Sequence, residues 1–351
     1  MIEDFLRSMH LRKGSDLHVI AGDPPRMRVN GDLITLQKQL LDPEQLLNAL
    51  VDIMTEEDRK QFEADDSADF AIAIEGLSRF RVNVFRHLNG VGAVFRGIPA
   101  TALTLDELGM PKSVRDFTRT NKGLILVTGK TGSGKTTTLA AMIDAINQSQ
   151  HGHILTIEDP IEFVHQRQNC LISQREIGIH TQTFSEALHS ALREDPDVIL
   201  VGELRDLETM SIAMTAAEMG ILVMGTLHTN GAAATIDRVI NIFPADKQEH
   251  IRNMLSTSLR GVVSQQLAKK KDGSGRVAVL EILVNNAAVA NLIRQGKLEQ
   301  LGNVMQSGGA AGMRTMDGAL QTLYDQKFIS GEEAYFQAFD KSKFEKLKAA
   351  S

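Results

Sequence analysis

Gly129-Lys-Thr-Gly-Ser-Gly-Lys-Thr136 fits the phosphate-loop pattern G-x-x-x-x-G-K-[S/T] at every fixed position. The glycines let the backbone curl so that its N–H groups converge on an anion. Lys135 places an ammonium on the β/γ-phosphates, and the Thr136 hydroxyl is suited to Mg²⁺. The flanks agree with this reading. The apolar run Leu124 to Thr128 precedes the loop as a buried strand would, and the helix-compatible stretch Thr137 to Gln148 follows it. A helix starting there adds the positive end of its dipole to the phosphate site. The expected nucleotide contacts are therefore Gly129, Lys130, Thr131, Gly132, Ser133, Gly134, Lys135, Thr136 and Thr137, and the expected ligand is ATP with Mg²⁺.

A chain of 351 residues exceeds the size at which single cores stop growing, about 250–300 residues, so two domains are expected. The lone cysteine, Cys170, excludes an internal disulfide framework and a cysteine zinc site, and suits a reducing cytosol. Met1 to Arg7 lacks the cationic start and apolar core of a signal peptide, and no apolar run approaches the roughly 20 residues of a membrane span. With a formal net charge of −6, nothing global points to nucleic acid. Work at a membrane would need a protein partner to bring the chain there.

Residues 1–98 read as a mixed α+β unit. Strands are expected at Asp16–Ile20, Arg26–Val29, Leu33–Leu36, Phe70–Ile74, Phe80–Phe85 and Val91–Ile98, the last two joined by a hairpin turn at Asn89-Gly90. Asp42-Pro43 and Thr55 to Asp58 start two helices, the second through a capping box. Residues 99–111 read as a linker, with the domain break near residue 105. From 112 to 351 the pattern becomes α/β: buried strands at Leu124–Thr128, His153–Ile157, Val198–Val201, Ile221–Leu227 and Val277–Leu283 alternate with helices. That alternation predicts a largely parallel sheet with ligands at the strands' C-terminal ends. Short helices follow at Ala287–Arg294, Leu298–Met305, Thr315–Tyr324 and Gly331–Phe339, and the basic run Lys341 to Lys348 reads as a fraying tail.

Three strand ends carry the remaining chemistry. Glu158-Asp-Pro-Ile-Glu162 sets three carboxylates where a residue must orient or deprotonate the attacking water. Asp197 to Glu203 is an apolar strand ending in Gly202-Glu203, and a carboxylate there can hold Mg²⁺ through its water shell. Gly225-Thr-Leu-His-Thr229 places His228 at the third, either as a γ-phosphate partner or as a satisfied structural histidine. Arginines gather at Arg79, Arg81, Arg86 and Arg96. They are either a solvated strand face or a source of an arginine finger from another domain or subunit.

Longer segments resemble a known family. Thr156 to His165 resembles the Asp box, Ala191 to Glu203 the Walker B region and Gly225 to Thr229 the His box of the secretion-type hexameric ATPases. Ile236 to Pro244, Gly312 to Asp317 and Ser15 to His18 resemble, within them, the twitching-motility retraction motors of type IV pili. The resemblance covers essentially the whole chain. It implies a RecA-like ATPase domain behind a smaller PAS-like N-terminal domain, assembled as a homohexamer. By matching positions it makes Glu162 the catalytic glutamate and Glu203 the Walker B acid beside Thr136 at the metal. His228 belongs to the His box, and Arg81 and Arg96 reach the nucleotide. The implied function is an ATP-hydrolysing motor for pilus retraction. It would sit on the cytoplasmic face of the inner membrane and act on the platform protein there, alongside a paralogous retraction ATPase. Two positions depart from the pattern: Ile221 stands where the first His of the His box is expected, and Ala290 replaces the first Arg of the C-terminal signature that ends at Arg294 and Gly296. These departures keep open a poorly hydrolysing accessory ring subunit, and a pilus-assembly or type II secretion motor remains a further alternative.

Overall fold

The computed structural model describes residues 1–29, 31–98 and 102–348. The chain divides into two compact units, Met1–Ala100 and Thr101–Ser351. Of the expected linker, residues 99–101 lie outside the described residues. Residues 102–111 fold with the second unit, where Leu105 and Met110 are buried in its core.

The first unit contains α1 (Ile2–Leu11), β1 (Asp16–Ile20), β2 (Arg26–Val29), β3 (Asp32–Thr35), α2 (Pro43–Val51), α3 (Glu56–Asp65), β4 (Ser67–Ile74), β5 (Ser78–His87) and β6 (Gly90–Ile98). The strands form one antiparallel sheet in the order β3-β2-β1-β6-β5-β4. Local signals set the helix starts. The Asp42 side chain accepts the N–H groups of Glu44 and Gln45 with Pro43 at the first turn, and Thr55 and Asp58 form both halves of a capping box. Phe80, Val82 and Val84 of β5 alternate inward onto Leu6, Met9, Leu46 and Leu50 of the helices. The intervening Arg79 and Arg81 therefore share the opposite face. The hairpin turn lies one residue earlier than expected, because His87 pairs with Gly90 and leaves Leu88-Asn89 as the two-residue loop. Gly90, at φ 129°, serves close packing instead: a Cβ there would come within 3.1 Å of Ala21 Cβ.

The second unit comprises α4 (Lys112–Phe117), β7 (Gly123–Thr128), α5 (Lys135–Ser149), β8 (His153–Glu158), β9 (Leu171–Glu176), α6 (Phe184–Ala191), β10 (Val198–Val201), α7 (Leu207–Glu218), β11 (Leu222–Leu227), α8 (Ala232–Asn241), α9 (Gln248–Ser258), β12 (Leu259–Lys269), β13 (Arg276–Val284), α10 (Ala287–Gln295), α11 (Leu301–Ser307), α12 (Met316–Asp325), α13 (Gly331–Gln337) and α14 (Glu345–Lys348). Its sheet has the order β13-β12-β7-β11-β10-β8-β9, parallel except for β13, which runs antiparallel to β12. All six residues of β7 are buried, as a central parallel strand requires. Leu124 and Leu126 face a core with α6 to α10, while Ile125 and Val127 face α4 and α5. The C-terminal run is not a fraying tail. Phe344 is 1% exposed in a cluster with Met316, Leu320 and Ile329, and the Lys348 ammonium stands 4.9 Å from the Tyr335 ring centre. Among the described residues no helix is long and apolar enough to cross a membrane.

Candidate functional site

The phosphate loop joins β7 to α5, and a residue from outside any motif holds it in shape. Gln265 on β12 donates to the Ser133 carbonyl at 2.7 Å and accepts the Thr138 hydroxyl at 2.7 Å. Gln265 is 2% exposed, so both bonds are made away from water. Gly134, the helix N-cap at φ 86°, passes so close that a Cβ would sit 2.7 Å from the Gln265 amide nitrogen. Only glycine fits both the backbone conformation and the approach. Inside the loop the Lys135 ammonium donates to the carbonyls of Gly129 (2.9 Å) and Lys130 (3.2 Å), and the buried Ser133 hydroxyl has no partner. A tethered cation beside an orphaned donor is a cradle shaped for an anion.

Beside the loop lies a cleft of about 310 Å³ that brings together Thr131, Gly132, Lys135, Thr136, Glu162, Glu203 and His228. The carboxylates come from different strand ends. Glu203 follows β10, and its Oε1 and Oε2 meet His228 Nε2 at 3.2 Å and the Arg205 guanidinium at 2.7 Å. Burial pulls the Glu203 carboxyl upward, but the Arg205 hydrogen bond and the charges of His228 and Arg205 outweigh it and hold the group below the usual glutamate range. Burial likewise lowers the Lys135 ammonium, opposed by Glu203 and Glu162, so this lysine feels both acids. Asp206, next to Arg205, instead caps α7 by accepting the Thr209 N–H at 2.8 Å.

Glu162 projects into the cleft from the irregular segment after β8, between buried Ile161 and Phe163. β9 holds that segment: Glu176 accepts the Ile161 N–H (3.1 Å), while Gln174 accepts the His165 N–H (2.9 Å) and donates to the Phe163 carbonyl (2.8 Å). The first acid of the triplet, Glu158, is buried and accepts the Thr156 hydroxyl at 2.6 Å. Burial pushes its carboxyl up. It serves as a support under the Glu162 segment more than as a second acid in solution.

Some expected residues sit elsewhere. Thr137 borders a separate cavity of about 730 Å³ on the loop's other flank, together with Gly134, Gln265, Arg314 and Phe328. Arg81 and Arg96 belong to the first unit, directly opposite each other on β5 and β6, and Arg96 is ion-paired to Asp16 at 2.9 Å. Ile221 precedes β11 at the end opposite His228. Ala290 lies on α10, which packs on α9, and Arg294 of the same helix reaches Ser256 at 3.4 Å.

Comparison with known proteins places the whole chain. A profile of the family described as type II/IV secretion system protein matches residues 1–325. The type IV pilus retraction ATPase PilT of Pseudomonas aeruginosa is 52% identical over 320 residues, which span 91% of this chain and 93% of its own. From the same organism, the type IV pilus ATPase PilU is 43% identical over 336 residues, spanning 96% and 88%. Among solved structures, the crystal structure of the pilus retraction motor PilT with bound ADP matches with a TM-score of 0.91 at 44% identity, covering 99% of this chain and 98% of that one.

Proposed function

The chain belongs to the type II/IV secretion system protein family, and we propose that within it this ATPase is a homohexameric motor that drives type IV pilus retraction. Its fold is that family's, a RecA-like α/β unit behind a smaller α+β N-terminal unit. In this reading the ring stands at the cytoplasmic face of the inner membrane, acts on the pilus platform protein and works beside a paralogous retraction ATPase. The observation that carries the hydrolytic part is the convergence of Glu162 and Glu203 on Lys135 from separate strand ends. Greater identity to the retraction ATPase than to PilU supports the retraction part.

The residues fit ATP and Mg²⁺. On binding, phosphate oxygens replace the Gly129 and Lys130 carbonyls as partners of Lys135, and the Ser133 hydroxyl gains an acceptor. Mg²⁺, when bound with the nucleotide, neutralises charge on the phosphate oxygens. Thr136 and Glu203 would hold it, a sparse set that suits an ion keeping water and phosphate ligands. Glu162 orients the attacking water and takes its proton. His228, fixed by Glu203 through Nε2, stands beside the γ-phosphate. Beyond Thr137, the nucleoside extends into the larger cavity. Arg81 and Arg96 complete the site from the N-terminal unit of a neighbouring subunit.

The accessory-subunit reading rests on Ile221 and Ala290. Ile221 lies a six-residue strand away from His228, roughly 20 Å at 3.3 Å per residue, so a histidine there would not reach the nucleotide of its own chain. That removes Ile221 as a ground for the accessory reading, which then stands on Ala290 of α10 alone. Deletion of the gene tests the proposal: excess surface pili with lost twitching is expected. Loss of pili would instead mark an assembly motor, and ATPase activity that appears only on mixing with a paralogue would mark an accessory subunit.

A further inference from the structure

One buried acid caps two helices, α8 and α12. Glu281 on β13 is 7% exposed within an otherwise apolar run. Its Oε1 accepts the Ala232 N–H at 2.7 Å and its Oε2 the Met316 N–H at 3.0 Å. Ala232 opens α8 and Met316 opens α12, so the positive ends of both helices face the same carboxylate. Replacing a buried charge with a well-packed apolar side chain is often neutral or stabilising, so stability alone is a weak reason for an acid here.

One side of this joint runs to the cleft. His228, bonded to Glu203, is followed by Thr229, whose hydroxyl lies 2.7 Å from that of Thr235. Thr235 in turn reaches Thr128, the residue before the phosphate loop, at 3.3 Å. Gly231 donates to Ser264 at 2.8 Å. The other side runs outward. Asp317 on α12 accepts the N–H groups of Phe339 (2.8 Å) and Asp340 (3.2 Å). The two routes then close on each other: at Gly231, φ 93°, a Cβ would stand 3.3 Å from Glu281 Oε1 and 3.4 Å from the Phe339 ring.

We infer that Glu281 is a positioning residue that couples His228 to α12, so that the nucleotide state sets the placement of α12 and the Phe339–Asp340 segment. This rests on the nucleotide reading of the cleft. The test is amide hydrogen exchange of the full chain, alone, with ADP, and with ADP and aluminium fluoride, in the parent and in Glu281→Gln. The isosteric amide leaves one of the two helix N–H groups without an acceptor. In the parent, nucleotide should change exchange at residues 339–340. In Glu281→Gln that change should vanish and kcat fall about tenfold, while ADP affinity and KM stay within about twofold. Phe339→Ala, a truncation at a half-exposed ring, should also blunt the response and serves if Glu281→Gln does not fold. Exchange unaltered by nucleotide in the parent, or a response retained in both variants, would overturn the coupling. So would ADP affinity falling in step with kcat, which marks a merely structural role. A chain that bound no ADP would sink the nucleotide reading and this joint with it, whereas ADP binding without an exchange response sinks the joint alone.

Discussion

Replacing Gln265 with Leu tests whether the phosphate loop is held in its binding shape before nucleotide arrives. The substitution keeps the volume of a buried residue but deletes the donor to the Ser133 carbonyl and the acceptor of the Thr138 hydroxyl. Thr138 is fully buried and Ser133 nearly so, hence neither group regains water as a partner. Each orphaned group costs about 1–3 kcal/mol, and one and a half per group gives a total of about 3 kcal/mol. For a unit of this size that lowers the melting temperature by roughly 6–12 °C. Ser133 lies within the loop and Thr138 in the helix, so only the Ser133 half, about 1.5 kcal/mol, bears on binding, a rise in ADP Kd of roughly tenfold. Calorimetric melting and ADP titration of the purified chain measure both. Saturating ADP should restore part of the lost melting temperature, since ligand bound only by the folded state stabilises it. An ADP Kd within about twofold of the parent's, with melting lowered as expected, would refute preorganisation and leave Gln265 as a packing residue.

Other outcomes follow from the cleft and its supports. Glu162→Gln should lower kcat by about 10²–10⁴-fold with ADP affinity retained, because only proton transfer and water placement are lost; steady-state assay with ADP titration checks it. Arg81→Ala and Glu162→Gln rings, each inactive, should regain part of the ATPase activity on mixing and co-refolding if the arginine is supplied between subunits, and none if each subunit completes its own site. Burial pulls the His165 imidazole down to about 4, against 6.5 unfolded, so the unfolded chain binds the extra proton between those values. Stability from this residue is therefore complete above pH 6.5 and lost as pH falls toward 4, by about 3 kcal/mol. In urea melts the stability of the parent relative to His165→Gln should fall by about 3 kcal/mol between pH 7 and pH 4, and a difference that does not change with pH would refute the burial effect.

What the sequence made legible was local or periodic. The loop, its flanking strand and helix, the acids ending β8 and β10, and His228 ending β11 all announce themselves within short windows. Gln265 does not, because its two partners are brought to it by sheet order and no motif marks it. β12, which carries it, is interrupted by Gly261 and a polar Ser-Gln-Gln triplet, and β9 is a half-polar edge strand; neither resembles a buried run. Glu281 hides among aliphatic neighbours for the same reason. α1 is readable in the sequence as well, since Ile2, Phe5, Leu6 and Met9 repeat at helical spacing and all four are buried. The buried Phe344 was masked by the lysines around it.

The position of β7 between β11 and β12 also governs when the site can first exist. Both neighbours of the phosphate strand lie far downstream, and the Thr138–Gln265 hydrogen bond spans 127 residues. At about 5–20 residues per second, a ribosome needs roughly 6–25 s between making one partner and the other. During that interval the loop sequence exists without its sheet or its clamp. A nascent chain therefore carries the binding signature well before it carries the β12 neighbour and the Gln265 clamp that shape the site.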